Sequence, residues 1–181
     1  MLGRLRRARE RLLGRRSVEW YRRNGCQIGV DVLLGPGCLL DPPHCWLIEI
    51  GDAAQLGPNV VVLAHDASTK PYLGYTRIDN VRIGRRVFLG ANCVVLPGVT
   101  IGDGAIVGAA STVTSDIRAG GLAVGSPARV IGDVSDYIDR QRDALARLPV
   151  FDSGWTTRTG VTAARKQQMR ERLGDAGGFV V

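Results

Sequence analysis

The sequence predicts a mainly β protein, a single-stranded parallel β-helix of hexapeptide repeats with helical appendages at both ends. Three patterns predict it. Aliphatic residues recur every six positions, at Ile28, Leu34, Leu40, then Ile50, Leu56, Val62, then Ile83, Leu89, Val95, Ile101, Val107, Val113 and Ala119. Glycine follows at 29, 35, 51, 57, 84, 90, 102 and 108, where a corner calls for backbone freedom. Four positions after each aliphatic residue stands a small or β-branched one, among them Val32, Cys38, Ala54, Val60, Val87, Cys93, Val99, Ala105, Ser111 and Ile117. Inward residues two apart, with a corner after each short strand, describe stacked coils that bury a continuous core. A sandwich or barrel would show turn signals about 8 to 12 residues apart with no fixed phase.

The repeat sets the domain organisation. Residues 1–23 form a basic helical segment, with nine arginines against Glu10 and Glu19, which accounts for the whole net charge of +7. Leu2, Leu5, Leu12 and Leu13 lie at roughly helical spacing. The segment reads first as a solvated terminal helix, and second as a peripheral membrane contact through residues 1–16 on anionic lipid. A nucleic-acid role rests on these arginines alone and is not expected. Residues 24–132 form the β-helix, which breaks phase twice. The step from Leu40 to Ile50 is ten residues, spanning LDPPHCWLIE; that from Val62 to Ile83 is 21. The second break is read as a protruding loop over 66–82, rich in polar side chains. Residues 133–181 form a helical extension: VSDYIDRQRDALARLP as one helix, 150–162 as loop, and ARKQQMRERLG as a second.

Composition excludes several classes. There is no apolar run long enough to span a bilayer and no apolar core of a secretory signal near the start, so a cytoplasmic location is expected. Cys26, Cys38 and Cys93 fall in the inward phase and Cys45 outside it, with no paired-motif spacing. Reduced thiols follow, without disulfides or a cysteine zinc site. The chain has only His44 and His65, too few for a three-histidine zinc centre within one chain, so no metal is expected.

The stretches AHDASTKPYLGYT, VRIGRRVFLGANCVVLPGVTIGDGAIVGAASTVTSDI and AVGSPARVI resemble the left-handed β-helix acyltransferases with hexapeptide repeats, over about Tyr21 to Ile131. The resemblance implies a left-handed helix, a homotrimer, acetyl-CoA as acyl donor, and a catalytic histidine just before the protruding loop. His65 occupies that place. It lies three residues after inward Val62, so the phase also puts it at an outward-facing corner. An imidazole, with an unperturbed pKa of about 6.5, suits a base that takes a proton as a hydroxyl or amine attacks a thioester.

Carried over the same way, Ala91, Ala109 and Thr114 match positions along the acetyl-CoA groove, and Arg129 in GSPARVI matches a basic position near its phosphates. The family's Thr-Lys-Asp is Thr114, Ser115, Asp116 here, so one phosphate-binding lysine is missing and Arg118 is the candidate substitute. Lys70, Tyr72, Tyr75 and Arg77 suit a hydroxylated acceptor, and equally suit trimer contacts. His44, inside PPHCW, reads first as a turn residue and second as a lining of the acceptor groove. The resulting expectation is an acetyl-CoA-dependent O-acetyltransferase of a sugar or glycoconjugate, a polysaccharide-biosynthesis role. N-acetylation of an amino sugar and a non-catalytic β-helix scaffold are the alternatives.

Overall fold

The computed structural model describes residues 16–181, so most of the basic N-terminal segment, including its leucines, lies outside the described residues. Ser17 caps α1 (Val18–Arg23) by accepting from the N–H of Trp20. Tyr21 is fully buried, and its hydroxyl accepts from the N–H of Leu40 at 3.0 Å, which anchors the helix on the first coil.

Four full coils follow. The first contains β1 (Gln27–Ile28), β2 (Leu33–Leu34) and β3 (Leu39–Leu40); the second β4 (Ile48–Ile50), β5 (Gln55–Leu56) and β6 (Val61–Val62). Outside the coils, β7 (His65–Asp66) pairs antiparallel with β8 (Arg77–Ile78). The third coil contains β9 (Val81–Ile83), β10 (Phe88–Leu89) and β11 (Val94–Val95); the fourth β12 (Thr100–Ile101), β13 (Ile106–Val107) and β14 (Thr112–Val113). Then come β15 (Gly121–Gly125) and the antiparallel β16 (Ala128–Asp133). The strands stack into three faces: β1-β4-β9-β12, then β2-β5-β10-β13-β15-β16, then β3-β6-β11-β14. Register follows the hexad, with Leu40, Val62, Val95 and Val113 in one column. Those four are fully buried, as are the small-position residues Ala54, Val60, Val87, Cys93 and Ala105. Each Val or Leu so buried contributes about 1.5–3 kcal/mol relative to exposure, which fixes the register coil by coil.

The structure corrects four expectations. The hexad does not run past Val113: Ile117 bridges Ile101, and Val107 pairs with Ala123, so the last coil is two residues shorter and Ala119 faces out. The glycines after the aliphatic residues are not needed for their dihedrals. A Cβ on Gly90 would lie 2.4 Å from the Ala109 nitrogen, so the requirement is coil-to-coil clearance, while left-handed backbone falls nearby at Asn59, Asn92 and Ala110. The excursion is a hairpin that begins at His65, and Val81 is already back in the ladder, rather than a loop over 66–82. Residues 150–162 are not all loop, because β17 (Val150–Phe151) pairs parallel with β18 (Phe179–Val180).

The chain divides into two compact units, through Val134 and from Ser135. The second contains most of α3 (Val134–Leu145), the β17–β18 pair and α4 (Ala163–Leu173), which Thr162 caps by accepting from the N–H of Arg165. Phe151 is buried there beside Trp155, with the Arg172 guanidinium 4.5 Å from the Phe151 ring centre. No described helix is long and apolar enough to cross a membrane.

Candidate active site

The corner that follows the third face is where the chain twice departs from the repeat. After β3, Asp41 adopts φ +26 and its carbonyl accepts from the N–H of His44 at 2.9 Å, closing a turn around Pro42 and Pro43. A 3-10 turn over Cys45–Leu47 then returns the chain to β4. One coil later, after β6, Ala64 points inward and His65 points out. Since Leu40 stacks on Val62, Asp41 and His65 come from the same corner of adjacent coils.

Their side chains meet. Asp41 is 1% exposed, and its Oδ2 lies 2.6 Å from His65 Nδ1 and accepts from the Ala64 N–H at 2.7 Å. An ionised carboxylate only accepts, so in a neutral ring this contact selects the tautomer with the proton on Nδ1 and the lone pair on Nε2. The His65 side chain remains 30% exposed, so the ring is held from behind and open in front. The His44 ring stands 5.1 Å from that of His65 and 5.5 Å from that of Trp46. Asp41 Oδ1 and His44 Nδ1 lie 3.9 Å apart, both buried and neither hydrogen-bonded.

The hairpin beyond His65 is internally ordered. Asp66 accepts from the Ser68 N–H, which holds its carboxyl below the usual range. The Thr69 hydroxyl donates to the Tyr75 carbonyl at 2.8 Å across the short helix α2 (Lys70–Leu73), and Gly74 ends that helix at φ +74. Tyr72 and Tyr75 are 87% and 79% exposed, and Lys70 is exposed too. Arg77 sits opposite Asp66 in the hairpin and pairs with Asp79 at 2.8 Å. No hydrogen bond among the described residues joins Lys70, Tyr72, Tyr75 or Arg77 to His65.

The positions read as a cofactor groove are spread over the two corners of the third face and over β16. Ala91 and Ala109 stack at the corner before the third face, where the Ala110 N–H donates to the Ala91 carbonyl. Thr114 is exposed at the corner after it, two coils from the His65 corner. Arg129 is exposed on β16, donates to the Ala128 carbonyl, and has no acidic partner among the described residues. Arg118 does not take the missing lysine's place as a free cation, because Asp133 pairs with it at 2.6 Å. A separate groove of about 680 Å³ runs over the first face, lined by Gln27, Glu49, Arg82 and Thr100, away from His65.

Sequence reasoning missed Asp41 and read His44 first as a turn residue and second as a lining of the acceptor groove, not as a neighbour of His65. It also ruled out a metal by counting histidines, whereas the structure brings a carboxylate and both histidines together. Their ligand atoms lie within 4.8 Å of one another.

Comparison with known proteins supports the resemblance. Residues 80–115 match the bacterial transferase hexapeptide (six repeats) family. The chain is 36% identical over 94 residues to galactoside O-acetyltransferase of Escherichia coli (strain K12), covering 50% of this chain and 45% of that protein. It is 45% identical over 62 residues to 2,3,4,5-tetrahydropyridine-2,6-dicarboxylate N-acetyltransferase of Staphylococcus aureus (strain JH9), covering 34% and 26%. The crystal structure of a maltose O-acetyltransferase from Clostridium difficile 630 superposes with a TM-score of 0.50 at 27% identity, over 64% of this chain and 73% of that one. The chain spans less than half the length of these two curated relatives. The chain is thus similar, over its hexapeptide-repeat region, to acetyltransferases.

Proposed function

We propose that the protein is an acetyl-CoA-dependent acyltransferase that moves an acetyl group to a hydroxyl of a sugar or glycoconjugate, with His65 as general base and Asp41 as its positioning residue. The contact between Asp41 Oδ2 and His65 Nδ1 is the observation that carries this reading, because it fixes the tautomer that a base needs. In the reaction, Nε2 takes the acceptor's hydroxyl proton as that oxygen attacks the thioester carbonyl. Backbone N–H groups of an adjoining subunit stabilise the tetrahedral oxyanion. Its collapse breaks the C–S bond, and the imidazolium returns the proton to the leaving CoA sulfur.

Ala91, Ala109 and Thr114 fit a donor that runs along the third face: at two corners a small side chain lets the ligand approach the main chain, and Arg129 supplies a cation for the phosphates. Lys70, Tyr72, Tyr75 and Arg77 belong to this reading as acceptor contacts, with the two exposed tyrosines equally suited to a subunit interface. The left hand of the helix, a homotrimer that closes each groove with a neighbour, absence of a bound metal in catalysis, a cytoplasmic location and a lipid contact through residues 1–16 complete it. An amine acceptor is the second reading, favoured by the similarity to an N-acetyltransferase.

The test is release of free CoA thiol from acetyl-CoA against a panel of sugars, amino sugars and lipid-linked glycans. An acceptor-dependent release that His65→Ala abolishes is expected. Release from no acceptor, or equal release by His65→Ala, would overturn the proposal. Light scattering should give three chains per particle; a fully active monomer at dilution would remove the shared groove.

A further inference from the structure

We infer that Asp41, His44 and His65 form a binding site for a divalent transition-metal ion, Zn2+ being the best match, and that an ion bound there switches off the base. The ligation is argued from donor geometry alone; its consequence for activity rests on the acyltransferase reading above.

Asp41 Oδ1 and His44 Nδ1 are the two buried side-chain atoms without a partner among the described residues, and they face each other at 3.9 Å. Folded proteins rarely keep such orphans, because each costs its lost hydration. Asp41 is almost wholly buried and, among the described residues, its carboxylate is met by two N–H donors only, with no Lys or Arg paired to it. Ligand atoms of all three residues already lie within 4.8 Å. Tetrahedral Zn2+ with bonds of about 2.0–2.2 Å places its ligands about 3.3–3.6 Å apart. The Asp41 to His44 gap therefore needs to close by a few tenths of an ångström, and a separation at the 4.8 Å limit by about 1.2–1.5 Å, a rearrangement of side chains alone.

Donor type and access agree. Two imidazoles and one carboxylate select a borderline ion over Mg2+ or Ca2+, which prefer all-oxygen shells. The His44 and His65 side chains are 28% and 30% exposed, which provides entry and an open fourth position. The four cysteines are buried at other core positions, so they do not compete as a cluster.

Occupancy and catalysis then exclude each other. If the ion takes Nδ1 of His65, the single ring proton must move to Nε2, the atom that accepts the acceptor's proton. If the ion takes Nε2, that lone pair is gone. Either way the base is lost without any change in fold.

The experiment titrates metal-stripped full-length protein with Co2+, reading tetrahedral d–d absorption, and then with Zn2+ by competition. One ion per chain is expected. His44→Ala should weaken Zn2+ binding by at least about 100-fold, since even outer partners of metal ligands carry about 10- to 100-fold. His44 is partly exposed on a turn outside the stacked strands, so this variant is expected to fold, which circular dichroism verifies. No binding, octahedral Co2+ spectra, or binding unchanged in His44→Ala would overturn the site. For the consequence, stripped protein should be active and Zn2+ should inhibit with a constant equal to its measured Kd. Bound Zn2+ that leaves turnover unchanged, or that is required for it, would overturn the mutual exclusion while leaving the site intact. Inactivity of the stripped protein with and without Zn2+ on every acceptor would instead overturn the acyltransferase reading.

Discussion

The two corners that flank the third face follow opposite rules. Before the face, Gly90 and Ala109 stack so closely that a single added carbon would meet backbone at 2.4 Å. After it, the chain inserts a proline turn at Asp41 and a hairpin at His65. The regular corner uses small residues to bring main chain to the surface; the irregular one uses insertions to bring side chains together. A solenoid coil contacts only its neighbours, so an insertion at one corner leaves the other undisturbed. Ligand approach and proton transfer can then be built independently on one scaffold.

The largest expected effect breaks the irregular corner directly. His65→Ala should lower turnover by roughly 100-fold or more and leave acetyl-CoA affinity, measured by calorimetry, within a few-fold. A parallel loss of affinity would mean that the two corners are not independent. Asp41→Asn comes next: its amide can donate to His65 Nδ1 and so favour the wrong tautomer. Turnover should fall by about 10- to 100-fold with KM little changed, read from steady-state kinetics. If activity stayed at the parent level, Asp41 would be a packing residue only.

At the regular corner, Gly90→Ala should act on stability first, costing about 1–3 kcal/mol through overpacking, measured by urea unfolding. A neutral result would show that the coils can separate locally and that clearance is not what the glycine provides. The smallest effect should come from the cysteines. Burial pushes the Cys26 thiol up to about 12 and raises those of Cys38, Cys45 and Cys93. A thiol with a raised pKa has little thiolate at neutral pH, so maleimide should label none of them in the native protein, by mass spectrometry, and all four after unfolding.

Much of the irregular corner was legible. His65 stood out because a single outward histidine preceded a break in phase. Asp41 carried a signal of the same kind: it follows inward Leu40 as directly as the His65 segment follows Val62. The ten-residue step hid this, since the register of Leu40 on Val62 emerges only when the four extra residues are assigned to one turn. His44 was obscured for a similar reason, because its approach to Asp41 depends on the turn through Pro42 and Pro43 rather than on any period.

By itself the sequence determined the solenoid, its three faces, its inward residues from Leu40 to Val113 and the outward corner on which His65 stands. A six-residue period repeats one local rule, burial at two alternate positions followed by a corner, and such a rule is written wherever it is obeyed. Tertiary structure decided what the rule does not contain. It shortened the last coil by two residues, because Ile117 rather than Ala119 fills the column below Ile101. It made the glycines a matter of clearance between coils, and it paired Asp41 with His65. Each of these is a contact between residues at least 15 positions apart, set by how one coil rests on the next, and local sequence preference does not encode that distance.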